Sequence, residues 1–190
     1  MASTIPATIK SAALGAVHPA GVGTKLPDIQ LKQTSPDDTL SLASLKGRNL
    51  ILGVPGAFTP PCSNMVPQFS DAYSEITQKG IKGVYVVPIN DVFASNAWKE
   101  KLGCVPCSLA QDAKLKAGAN RADKLNFLAD DTGAFSRTLG LTFDATGLLG
   151  GERAKRYVLL TNDDTIEKVF VEDEAPNVEK TTAKAVLAAL

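Results

Sequence analysis

The stretch RNLILGVPGAFTPPCSNMVPQF, residues 48–69, decides the fold. It opens on Arg48 to Val54, a run rich in Leu, Ile and Val bounded by Gly47 and Pro55, which is the pattern of a buried central strand. Met65, Val66, Phe69, Tyr73 and Ile76 then recur with helical spacing. The spacing predicts a helix with a regular i to i+4 ladder from about Ser63 to Thr77, bent near Pro67 because that residue has no N–H to donate. Between strand and helix, Gly56-Ala57-Phe58-Thr59-Pro60-Pro61 leaves Cys62 at the helix N-terminus.

Outward from this unit, Lys82 to Ile89 reads as the next strand and Phe93 to Leu102 as the next helix, a β-α-β-α order that makes the central strands parallel. Upstream, Leu26 to Leu42 holds one or two short extended pieces around the turn Ser35-Pro36-Asp37-Asp38. Downstream, Gly103 to Lys124 is a longer loop that reads as a surface excursion, with a helix-favouring piece from Ala110 to Lys116. Asn126 to Ala129 reads as a strand and Gly133 to Leu139 as a short helix. Lys155 to Thr161 and Thr165 to Val171 form a hairpin across Asn162-Asp163-Asp164. Asn177 to Leu190 is expected as a capped helix with Val178, Val186, Leu187 and Leu190 on its apolar face. Parallel strands first and an antiparallel hairpin late suit an α/β, thioredoxin-like fold, a central mixed β-sheet flanked by helices. Residues 1–22 read as an N-terminal extension and 23–190 as one domain.

Composition narrows the function. The 190 residues are 44% hydrophobic and 21% charged, an ordinary globular balance. Lys plus Arg and Asp plus Glu are 20 each, so no global field exists to hold a polyphosphate, and nucleic acid is not an expected partner. The densest apolar stretch, Asn49 to Phe58, is far short of the ~20 residues a membrane span needs. The single histidine, His18, lies in the Ala-rich N-terminal segment, which argues against a His-based triad or a multi-His zinc site. Three cysteines, Cys62, Cys104 and Cys107, are too few for a secreted disulfide framework and favour a reducing, cytoplasmic setting. Met1 to Ala20 has the Ala, Ser and Thr of an organelle signal but no Arg, and reads as a tail.

A thiol reacts as thiolate, and a free one with a pKa of ~8.5 is only ~3% ionised at pH 7. A helix N-terminus with its unpaired N–H groups favours the charged form, and a nearby Arg adds a permanent positive charge. Cys62 has the first of these by position. Thr59, on the approach to the helix, can set a hydroxyl beside the sulfur, accepting from one reactant atom and donating to another. Pro55, Pro60 and Pro61 stiffen the approach. Taken alone, a helix-start cysteine is as often a small buried core residue.

The string GVPGAFTPPCS, residues 53–63, resembles the active-site segment of the type II, peroxiredoxin-5-like peroxiredoxins. The resemblance extends from Gly23-Thr24-Lys25-Leu26-Pro27-Asp28 through Ile89-Asn90-Asp91-Val92-Phe93, Ala97-Trp98, Phe127-Leu128-Ala129-Asp130 and Gly133-Ala134-Phe135 to Arg153-Ala154-Lys155-Arg156-Tyr157. It implies a thiol-dependent peroxidase that reduces hydrogen peroxide and organic hydroperoxides through a sulfenic acid, without metal or organic cofactor. It makes Cys62 the peroxidatic nucleophile, Thr59 the peroxide-orienting hydroxyl, Pro55 the shield of the pocket and Arg156 the guanidinium that faces the sulfur, with Arg153 the competing choice. It also implies thioredoxin or glutaredoxin as reductant and a homodimer. The chain departs from the family pattern in two places. Only Ser63-Asn64-Met65-Val66 separate Cys62 from Pro67, one residue fewer than usual and without the family's His, so no π-turn is expected there. No cysteine occurs in the C-terminal stretch, which leaves Cys104 and Cys107 as the internal candidates for resolving oxidised Cys62.

Other readings fit less of the sequence. Cys104-Val105-Pro106-Cys107 has too few companion ligands for zinc, and as a redox dithiol it would start a helix, whereas it follows one. A peroxide-sensing or holdase thiol protein with little turnover would use the same Cys62. The pairs Asp37-Asp38, Asp130-Asp131 and Asp163-Asp164 sit beside turn residues and read as solvated turns. Phe93 and Trp98 are expected on one helix face as core or dimer contacts.

Overall fold

The computed structural model describes residues 19–103 and 125–190. In chain order the elements are β1 (Gln30–Lys32), β2 (Thr39–Ser41), β3 (Arg48–Val54), α1 (Pro60–Asp71), α2 (Tyr73–Gln78), β4 (Gly83–Pro88) and α3 (Val92–Lys101), then β5 (Leu125–Phe127) and α4 (Ala134–Thr138). They continue with β6 (Thr142–Asp144), α5 (Thr146–Leu149), β7 (Glu152–Ala154), β8 (Tyr157–Asn162), β9 (Thr165–Val171) and α6 (Ala183–Ala189). Five strands form one sheet in the order β5-β4-β3-β8-β9. β3 runs parallel to β4 and β4 parallel to β5, while β8 is antiparallel to β3 and β9 to β8, so the sheet is mixed and β3 is its middle strand.

β3 is buried on both faces because successive side chains alternate. Leu50, Leu52 and Val54 join the core shared with Met65, Val66, Phe69 and Trp98, while Ile51 joins the opposite core with Val87, Phe135, Tyr157 and Leu159. Each such fully buried side chain stabilises the fold by roughly 1.5–3 kcal/mol. Gly53 is required by its cross-strand partner, since a Cβ there would lie 2.0 Å from Cζ of Tyr157. Tyr157 needs that space: its ring is fully buried and its hydroxyl lies 3.2 Å from Oγ of Ser136. Burial pushes the Tyr157 phenol well above its ordinary pKa, so it stays neutral.

Several expectations need correction. The helix after Cys62 is α-helical with no π-turn, but it is divided at Ala72, where ψ is 5°, and not at Pro67. The bonds from Ala72 N to Gln68 O and from Ile76 N to Ala72 O span the division, so the ladder turns there without opening. The last helix starts only at Ala183, with Thr182 Oγ1 as its cap, 3.1 Å from Ala185 N. The Asn177 carbonyl and the Thr181 amide, which would pair in the first turn of a helix begun at Asn177, are engaged elsewhere. The Glu172 carboxylate takes the amides of Glu179 and Thr181, and Arg156 takes the carbonyls of Ala175 and Asn177.

Residues 142–154, unassigned from sequence, form a second hairpin, β6-β7, across α5. Asp130 is not a solvated turn residue. It is buried, and its carboxylate accepts from Phe135 N and Ser136 N, capping α4. Phe93 is 68% exposed whereas Trp98 is fully buried, edge-on to Phe127, because five residues turn a helix by more than a third of a circle. The loop expected over 103–124, with its helix-favouring piece, lies outside the described residues from 104 onward, as do residues 1–18. Among the described residues no helix is long and apolar enough to cross a membrane.

Candidate active site

Cys62 is the third residue of α1, following Pro60 and Pro61. Those two have no N–H, so the first backbone donor the helix possesses is the Cys62 amide itself. The approach is tied at two points. Asn90 Oδ1, at the end of β4, accepts from Ala57 N at 2.8 Å, and Thr59 Oγ1 donates to Gly56 O at 3.1 Å. Phe58 adopts a left-handed backbone, φ 63°, which for a bulky residue is a strained way of turning the chain into the helix. Thr59 is the N-cap residue, yet its hydroxyl does not cap α1, and it stands instead on the wall of the cleft above Cys62.

The Cys62 side chain is fully buried, and so is Arg156, at 1% exposure. Arg156 immediately precedes β8, the strand beside β3, on the face that Val158 and Leu160 share with α1, and reaches the sulfur there. Its Nη1 donates to Cys62 Sγ at 3.4 Å and to Met65 Sδ at 3.5 Å. Its Nε donates to Asn177 O at 2.9 Å and its Nη2 to Ala175 O at 2.9 Å. The two carbonyls fix the guanidinium plane, and with it the side that faces the two sulfurs. A charge buried this deeply is destabilising unless it is paired. No described carboxylate forms an ion pair with Arg156, and among the described residues its side-chain hydrogen bonds go to the two sulfurs and the two carbonyls.

Around this floor is an open cleft of about 660 Å³. Pro55, Thr59, Pro60 and Pro61 form one side, Phe143, Leu148 and Leu149 of the β6-α5-β7 hairpin another, and Arg156 and Glu172 lie at its base. Sequence reading found Cys62, Thr59, Pro55 and Arg156: Pro55, Thr59 and Arg156 line the cleft, while Cys62 does not line it and lies buried against Arg156 Nη1. Arg153, the competing choice, is turned away: its Nη1 donates to Ile89 O and its Nη2 to Leu149 O at 2.7 Å, fastening the second hairpin to the end of β4. Cys104 and Cys107 lie outside the described residues.

Sequence reading missed three contributors. Met65 supplies the second sulfur. Ser63 Oγ accepts from the buried Trp98 Nε1 at 3.1 Å, which anchors the residue next to Cys62. Glu172 organises the segment that presents the two carbonyls, accepting from Thr181 Oγ1 at 2.8 Å, Thr181 N at 2.8 Å and Glu179 N at 2.7 Å. Burial alone would raise the Glu172 pKa, but these hydrogen bonds outweigh it and hold the carboxyl below its ordinary value. A single Glu among turn residues gives no signal of this kind, because its partners become neighbours only through the turns that follow β9.

A family model described as Redoxin matches residues 21–187. The chain is 38% identical over 169 residues to peroxisomal membrane associated protein 20 of Schizosaccharomyces pombe, covering 89% of this chain and 98% of that one. It is 36% identical over 200 residues to the chloroplastic peroxiredoxin-2E-2 of Oryza sativa subsp. japonica, covering 100% and 76% respectively. Among solved structures it is similar to peroxiredoxin 5 from Alvinella pompejana, with TM-score 0.73 and 26% identity over 90% of this chain and 97% of that one. It is also similar to reduced Prx3 in complex with H2O2 from Vibrio vulnificus, with TM-score 0.73 and 27% identity over 88% and 94%. A buried cysteine facing an arginine at a helix start, in a five-stranded mixed sheet, agrees with these likenesses. The chain belongs to the peroxiredoxins, the thiol-dependent peroxidases of the thioredoxin-fold superfamily, and is peroxiredoxin-5-like.

Proposed function

We propose that Cys62 is the peroxidatic nucleophile and that Thr59, Arg156 and Pro55 form its site. The observation that carries this is the 3.4 Å contact from Arg156 Nη1 to Cys62 Sγ, made by a guanidinium with no carboxylate partner among the described residues. The sulfur attacks the near oxygen of HO–OR. An S–O bond forms as the O–O bond breaks, Cys62 becomes a sulfenic acid, and the departing RO⁻ takes a proton to leave as ROH. Arg156 stabilises the charge moving from sulfur to leaving oxygen. Thr59 Oγ1 hydrogen-bonds the peroxide in the cleft and hands on its proton, and Pro55 shields the reacting atoms.

Membership of the family brings a peroxide substrate and a thioredoxin-type thiol reductant. The finer reading is that thioredoxin or glutaredoxin regenerates Cys62, with Cys104 or Cys107 as resolving thiol between them. That thiol attacks the sulfenic acid, expelling water, and the disulfide so formed is passed to the external dithiol. The protein acts as a homodimer in a reducing, cytoplasmic setting. Leu148, at 85% exposure on the cleft wall, and Phe58, at 53% exposure and next in sequence to Thr59, support an interface there.

The experiment is peroxide consumption with thioredoxin and glutaredoxin systems, using wild type and each single Cys→Ser variant. Cys62→Ser should abolish turnover, and substantial activity in it would overturn the assignment. Peptide mapping after one equivalent of peroxide, with free thiols blocked, tests resolution. Cys104 and Cys107 both fully alkylated beside a trapped Cys62 would show that an external thiol acts alone.

A further inference from the structure

Met65 is one of only two methionines in the chain, the other being Met1. It is fully buried one helical turn beyond Cys62, and its thioether is held by the same nitrogen: Arg156 Nη1 is 3.5 Å from Met65 Sδ and 3.4 Å from Cys62 Sγ. Thr181 Oγ1 stands 3.8 Å from that thioether, but its one proton goes to Glu172 at 2.8 Å. Arg156 is thus the real hydrogen-bond donor to Met65. A thioether is a weak acceptor, so Nη1 serves both sulfurs without preference for Met65. This balance depends on the oxidation state of Met65.

We propose that Met65 is a site of peroxide-driven sulfoxidation whose product draws Arg156 away from Cys62 and slows the enzyme. The inference rests on the reading of Cys62 as the residue that meets the peroxide. Any opening that admits a hydroperoxide to Cys62 Sγ brings it against Arg156 Nη1, and the Met65 thioether lies one hydrogen-bond length beyond that nitrogen. When Cys62 has been oxidised and cannot attack, the Met65 thioether is, among the described residues, the other sulfur in contact with Nη1. Its lone pair attacks the near oxygen of HO–OR. An S–O bond forms, the O–O bond breaks, the proton passes from the transferred oxygen to RO⁻, and the products are methionine sulfoxide and ROH. Sulfur loses the two electrons that the peroxide gains, and no further reactant is needed. The sulfoxide oxygen is polar and a far stronger acceptor than the thioether it replaces. Nη1 carries two N–H groups, one for each sulfur, so the displacement is geometric: an oxygen set between Sδ and Nη1, now 3.5 Å apart, leaves too little room for a charge-assisted bond of ordinary length unless Nη1 retreats, and that retreat lengthens the Cys62 contact.

The test treats the protein with increasing excess of cumene hydroperoxide and then follows two readouts. Mass mapping should find the Met65 peptide 16 Da heavier in a dose-dependent way. In the same samples, kcat/KM should fall about tenfold in the oxidised fraction, the size expected when a hydrogen bond to a charged group is lost. Methionine sulfoxide reductases A and B should restore that part of the activity, whereas over-oxidised Cys62 does not respond to them. Met65→Leu should show no reductase-recoverable loss from its own starting rate. Met65→Gln, a neutral stronger acceptor, should begin about tenfold slow with an unchanged melting temperature.

The proposal is overturned if the Met65 peptide stays unmodified at doses that over-oxidise Cys62, if it is modified with no recoverable loss, or if Met65→Gln matches wild type. Activity surviving in Cys62→Ser would instead bring down the reading beneath it. An unmodified Met65 in a protein that does depend on Cys62 brings down only this one.

Discussion

Replacing Arg156 by lysine keeps the charge and removes the fork, which separates the two ways in which this residue can act. In the native site, Nε and Nη2 are each 2.9 Å from a carbonyl, of Asn177 and Ala175, and these bonds hold Nη1 at 3.4 Å from Cys62 Sγ. A lysine ammonium is a single nitrogen and cannot reach acceptors spread around the edge of a guanidinium. If it stays with the carbonyls it leaves the sulfur. One hydrogen bond to a charged group contributes about 1.5–3 kcal/mol, and about 1.4 kcal/mol is tenfold in rate. Arg156→Lys should therefore lower kcat/KM roughly ten- to a hundredfold, and Arg156→Ala, which also loses the charge, should lower it further. The assay is the initial rate of peroxide consumption across a peroxide series at one pH, with reductant saturating, and with melting temperature recorded to exclude unfolded protein. A lysine variant within threefold of wild type would refute the argument, because charge alone would then suffice and the two carbonyl bonds would have no bearing on catalysis.

Thr59→Val removes a hydroxyl without changing shape, and should lower kcat/KM about a hundredfold while moving stability by no more than about 1 kcal/mol, read from peroxide kinetics and urea unfolding. Gly53→Ala sets a methyl 2.0 Å from the Tyr157 ring and should destabilise by about 1–3 kcal/mol or more, a melting-temperature drop of several degrees; an unchanged value would mean that Tyr157 moves freely. Glu172→Gln probes pH dependence: the Glu172 carboxyl is held below its ordinary pKa in the fold, so the unfolded chain takes up the proton first as pH falls. The stability that the native carboxylate contributes is present above the ordinary carboxylate pKa of ~4.3 and is lost as pH falls through the lower folded value. Urea unfolding should thus show a gap between wild type and variant at pH 7 that closes toward pH 3, and a gap independent of pH would contradict the assignment.

What could be read from the sequence, and what could not, divides along a physical line. β3, β4, α1, α3 and the β8-β9 hairpin were legible because each carries its own signal: an apolar run with Pro or Gly at its ends, or a helical repeat of large side chains. Cys62, Thr59 and Pro55 were legible for the same reason, since they lie within one short string. Arg156 was legible only through the family pattern around it, because nothing local distinguishes it from Arg153, and the choice between them is made by which carbonyls each one finds.

The segment 177–182 was misread as helix for the complementary reason. Its propensities permit a helix from Asn177, but the Asn177 carbonyl and the Thr181 amide, which would bond each other in the first turn of that helix, are taken by Arg156 and Glu172. A segment whose first-turn partners serve a distant charge does not also close its own ladder. The misplaced helix start and the missed contributor Glu172 therefore have one source, whereas Met65 was missed inside a regular helix because nothing local marks its thioether as a partner of Arg156. The segment after β9 gives up local regularity to surround the guanidinium beside Cys62, and a single sequence holds no record of that exchange until β8 has been laid next to β3.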